Sequence, residues 1–101
     1  MSKRYFMVRV IFDKQLTEQT LIEAMATSIT KHFGEVGIAS INLRLIRYDP
    51  EKAEAVVVCE KATTDQLLTA LTFIREIDGA PISLLVVRIS GTIKSLSKPK
   101  K

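Results

Sequence analysis

The sequence predicts an α+β domain of the ferredoxin-like class, a four-stranded antiparallel sheet with two helices on one face. Three observations carry this. Segments with an apolar repeat of two alternate with segments of helical repeat in the order strand, helix, strand, strand, helix, strand. The 101 residues, 47% of them hydrophobic, suffice for one core and no more. Turn residues fall between the segments rather than within them.

The first strand is "RYFMVRVIF", in which Phe6, Val8, Val10 and Phe12 recur at every second position. Thr17 then stands as an N-cap with Glu18 in the first turn. Leu21, Ile22, Met25 and Ile29 lie on one helical face, and Gly34 is placed to end the helix. "IASINLRLIRY", residues 38–48, alternates again and predicts a second strand, turned through "DPEKA" into a third, "EAVVVCE". Thr63 and Gln66 have the spacing of a capping box, and Leu67, Leu68, Leu71, Ile74 and Ile77 carry a second helix to Asp78-Gly79. "PISLLVVRI" supplies the fourth strand.

Strict alternation assigns Phe6, Val8, Val10, Phe12, Ile41, Leu43, Leu45, Leu85, Val87 and Ile89 to the helix-facing side. Tyr5, Met7, Arg9, Asn42, Arg44, Ile46, Tyr48, Val86 and Arg88 take the other side. That second face mixes apolar residues, tyrosines and three arginines, as a contacted surface does.

Charge is segregated along the chain. Of 15 Lys and Arg, four lie in "SGTIKSLSKPKK", leaving 11 in residues 1–89 against all 11 acids, so the net +4 resides in the last twelve residues. The expected organisation is a ferredoxin-like domain over residues 1–89 and a basic tail over 90–101. Local density of that kind attracts polyanions and releases their counterions. The candidate RNA-contacting set is Arg9, Arg44 and Arg88 on the open face with Ser90, Gly91, Thr92, Lys94, Lys98, Lys100 and Lys101 in the tail. A regulatory or oligomerisation module that binds a protein or small ligand, its lysines serving solubility, is the alternative.

Catalysis has no visible apparatus. His32 is the one histidine and has no carboxylate or second ligand spaced with it, so no metal or general-base site is expected. "DKQLTEQ" follows the first strand where a glycine-rich phosphate loop, or the glycine and arginine of an acylphosphatase, would be needed. Cys59, the lone cysteine, sits within "AVVVCE" as a small buried residue and forms no intramolecular disulfide. No run reaches the length of a membrane span and no secretory leader is visible, so a cytoplasmic protein is expected.

Strand 1 lacks a matching aromatic platform on the third strand, so base stacking of the usual RNA-recognition kind is not expected. Yet "KRYFMVRV", "HFGEVGIASINLRLIRYDPEKAEAVVVCEK" and "SGTIKSL" together resemble the archaeal ribonuclease P protein component 2 family, whose eukaryotic counterpart serves ribonuclease P and MRP. The resemblance spans nearly the whole chain. It implies a non-catalytic subunit that supports a catalytic RNA in removing the 5′ leader of precursor tRNA, with magnesium held by that RNA and no cofactor on this chain. It also implies ribonuclease P RNA and a TIM-barrel protein subunit as partners, with self-association as a dimer inside a heterotetramer. Family members often carry a longer arm before the first strand, where this sequence has only Met1, Ser2 and Lys3.

Overall fold

The computed structural model describes residues 2–97. β1 (Lys3–Ile11) leads into α1 (Glu18–Ile41), β2 (Arg44–Asp49) and β3 (Glu54–Glu60). A short 3₁₀ turn at Lys61–Thr63 leads into α2 (Thr64–Thr72), a two-residue hairpin of β4 (Glu76–Ile77) and β5 (Ala80–Pro81), β6 (Ser83–Ser90) and α3 (Ile93–Ser97). The main sheet has the order β2-β3-β1-β6 and every neighbouring pair is antiparallel. This is the predicted ferredoxin-like arrangement, with α1 and α2 packed together over one face.

The core forms where the helical stripes meet the sheet. Phe6, Val8, Val10, Ala55, Val57 and Cys59 project from the sheet against Leu21, Met25 and Ile29 of α1 and Leu67 and Leu71 of α2. Ser28 is buried between the helices and its hydroxyl donates to the Ala70 carbonyl at 2.7 Å, so the polar group costs little there. Burial pushes the Cys59 thiol up, which keeps it protonated and inert.

Both helices end differently from expectation. Thr17 caps α1 as predicted, its Oγ1 accepting from the Thr20 amide at 3.1 Å. Gly34 does not end the helix but breaks it, with φ 72° and ψ −173°, and a second helical segment continues to Ile41. Asn42 closes that segment in the left-handed conformation, its amide donating to Ile38. Residues 38–41 are therefore helical, and Ile41 is a fully buried core residue of the helix rather than of a strand. Gly37 is fixed by packing, since a Cβ there would stand 2.2 Å from Cβ of Phe33.

Thr63 forms no capping box. The chain is already helical at Lys61–Thr63, so the Thr63 hydroxyl turns back to donate to the Glu60 carbonyl at 2.9 Å. α2 stops at Thr72, and Ile74 and Ile77 lie beyond it. Asp78 (φ 52°) and Gly79 (φ 81°) form the tight turn of the β4-β5 hairpin, which explains why "DG" marks a reversal and not a helix end.

Candidate nucleic-acid interface

Directly opposed residues of neighbouring strands share a face, so the register assigns the open face row by row. One row reads Arg44, Val58, Tyr5, Ser90 across β2, β3, β1 and β6. The next reads Arg47, Val56, Met7, Arg88, and a third Asp49, Glu54, Arg9, Leu85. Two bulges set this pattern. Ile46 is an extra residue in β2 and Val87 an extra residue in β6.

The bulges correct the face assignments. Tyr48, expected on the open face, is turned to the core side by the Ile46 bulge, where burial and the adjacent Asp49 hold its phenol above the ordinary range. Val86 also packs on the core, while Leu85, expected inside, lies opposite Arg9 on the open face. Arg88 regains the open face because the extra residue at Val87 flips the phase back. Arg47 belongs to the same face, and simple alternation missed it because it counted through the bulge.

α3 covers part of this face. It contacts β6 and β1. Leu96 is 2% exposed. The Arg88 guanidinium donates to the carbonyls of Ser95 and Leu96 at 3.3 and 3.1 Å, which fixes the helix over the face that Arg88 shares with Met7. On the same face, Val56 and Val58 are 1% and 4% exposed although they point away from the main core. Residues 90–97 are thus part of the folded unit: Ser90 completes β6, and the segment after it is a turn and a docked helix.

The candidate residues separate into three groups. Ser90 and Thr92 use their hydroxyls locally: Ser90 Oγ accepts from the Thr92 amide at 3.2 Å, and Thr92 Oγ1 accepts from the Ser95 amide at 3.1 Å. Gly91 leaves room for Arg4, whose Nη1 would stand 3.2 Å from a Cβ. These residues, with Arg88, shape the C-terminal segment. Arg44, Arg47 and Lys94 are exposed cations in no ion pair among the described residues. Arg9 is exposed too, but stands in a row with Glu54 and Asp49, whose charges oppose phosphate approach. Lys98, Lys100 and Lys101 lie outside the described residues.

Arg47 and Arg88 are three strand spacings apart, about 14 Å, with the row of Val56 and Met7 between them. The arrangement thus presents cations at the β2 edge and on α3 beside an apolar strip, which suits phosphate and sugar contact more than base readout. At the far end of β1, Lys3 pairs with Glu60, which also accepts from Asn42 at 3.1 Å, and these two partners hold the Glu60 carboxyl below the usual glutamate range. His32 lies on the outer helical surface, stacked on Phe73 at 4.4 Å with Nδ1 2.9 Å from the Ser28 carbonyl. Among the described residues no cluster of three or more His, Cys, Asp or Glu could hold a metal, and no helix is long and apolar enough to cross a membrane.

Comparison with known proteins gives one consistent answer. The family model described as Rpp14/Pop5 matches residues 4–99. Ribonuclease P protein component 2 of Archaeoglobus fulgidus is 35% identical over 92 residues, covering 91% of this chain and 82% of that protein. The ribonuclease P/MRP protein subunit POP5 of Schizosaccharomyces pombe is 31% identical over 84 residues, 81% of this chain and 60% of its own length. A chain in the cryo-EM structure of yeast ribonuclease MRP superposes with a TM-score of 0.76 at 14% identity, covering 99% of this chain and 79% of that one.

Proposed function

Because this chain belongs to the Rpp14/Pop5 family, we propose that it is a non-catalytic protein subunit of ribonuclease P, supporting the catalytic RNA in removing the 5′ leader of precursor tRNA. The observation that carries the assignment, beyond the relatives' names, is the cationic rim of Arg44, Arg47 and Lys94, in no ion pair among the described residues, beside the apolar strip of the open face. A ribozyme centre concentrates phosphate charge. Cations fixed on a folded surface replace condensed counterions there, and so lower the magnesium the RNA needs to fold. Magnesium, in this reading, is held by the RNA.

The protein partners follow from the same reading. A second copy of this chain pairs with it, and that dimer is the centre of a heterotetramer with the TIM-barrel subunit, bound to the RNA in the cytoplasm. Reconstitution tests the assignment. Cleavage of precursor tRNA by the RNA with the TIM-barrel subunit is measured over a magnesium series, with and without this chain. The expected result is a lower magnesium requirement when it is present; identical curves overturn the assignment.

A further inference from the structure

The two edges of the sheet are built differently. β2 is charged along its length, with Arg44, Arg47 and Asp49, and kinked by a bulge, devices that discourage pairing with another strand. β6, the opposite edge, pairs on one side only and carries a single charge, Arg88, already committed to the carbonyls of α3. Three of its apolar residues remain in water: Leu85 is 47% exposed, Val87 43% and Ile89 39%. The stretch Ser83–Val86 precedes the bulge and is regular in register with β1.

Beside this edge runs a groove between β6 and α2, floored by Leu68, Leu71, Ile74, Ile82 and Leu84. The one charged residue lining it is Arg75, which forms no ion pair among the described residues. An unpaired regular strand flanked by a helix and an apolar groove is the geometry that takes up an extended peptide as an added strand.

We propose that the outer edge of β6 and the groove beside α2 receive an extended, apolar segment of a different protein, running antiparallel to β6 with a carboxylate at its C-terminal end against Arg75. The direction follows from the placement of Arg75, whose carbonyl accepts from the Ile82 amide at the start of β6. An antiparallel guest ends there. A second copy of β6 fits less well, because Ser83–Ser90 contains no acid to meet Arg75. Main-chain pairing supplies affinity, and the groove and Arg75 select the guest. The site is distinct from the arginines of the β2 edge, so protein docking and RNA contact are compatible.

The test titrates isotope-labelled protein with the peptide acetyl-Thr-Val-Thr-Val-Thr-Glu, free carboxylate at its end, and with a control ending in lysine amide, following backbone amides by NMR. Saturable shifts at Ser83–Val86 and Leu68 with the acidic peptide, and weaker binding of the control, are expected. Arg75→Glu weakens the acidic peptide about two- to fivefold, as for an exposed ion pair, and improves the control. Leu85→Lys, with the rest of the spectrum unchanged, lowers affinity for both. Shifts confined to other surfaces, absence of saturation, or a preference indifferent to Arg75→Glu would overturn the proposal. Concentration-dependent shifts of the same amides without peptide would also overturn it, by giving the edge to a second copy.

Discussion

Arg44 and Arg47 carry the sharpest prediction at the scale of single residues. Both are exposed and form no ion pair among the described residues, so the double change to alanine should leave thermal stability near that of the parent and weaken ribonuclease P RNA binding. The slope of log affinity against log salt should fall by about 1.5–2, one phosphate contact for each arginine. Arg9→Ala should change that slope less, because Glu54 and Asp49 already offset its charge. Equal slopes for the parent and the double variant would remove the β2 edge from the interface. Of the site, Arg9, Arg44 and Arg88 were legible as open-face residues, whereas Arg47 was not. A bulge leaves no mark in an apolar-polar pattern, since it adds a residue without changing composition. Arg88 was legible in position, but its hydrogen bonds to α3 were not, because alternation cannot express a contact between residues seven and eight apart.

At the scale of elements, the order of strands and helices was legible and their limits were not. "IASIN" is rich in β-branched residues, yet it is helical because Ile38 and Ile41 at a spacing of three both reach the core and Asn42 supplies the left-handed cap. β6 misled for the opposite reason: "LLVV" is apolar throughout, and a uniform run has no phase to read. Gly34 tests the break in α1. Its φ and ψ are essentially restricted to glycine, so Gly34→Ala should cost about 1–3 kcal/mol in denaturant unfolding, although no neighbour obstructs the added methyl. An unchanged midpoint would mean the break is not needed. α3 has five residues, too few to be helical alone, so its order depends on docking. Leu96→Ala should therefore cost about 2–4 kcal/mol and raise amide exchange at residues 93–97 together; exchange unchanged by the substitution would show that Leu96 is not the anchor.

For the whole molecule, Ser90 is the last residue of β6 and α3 follows it against the sheet. Removing residues 90–101 together would take away α3 with its contacts to β6 and β1, and so confound stability with charge. Removing 98–101 takes away Lys98, Lys100 and Lys101 with Pro99 and leaves α3 in place. That shorter truncation should leave the melting temperature within about a degree. RNA affinity should drop at low salt, with the difference from the full chain closing as salt screens it. A gap that persists at high salt would assign these lysines a specific rather than electrostatic role. The docked helix has one more consequence, in the order of synthesis. β6 and α3 follow every other described element along the chain, and β6 forms the outer partner of β1, which precedes them all. Until β6 has emerged, β1 lacks one neighbour. Until then the nascent chain presents β1 as an open sheet edge to whatever receives nascent proteins.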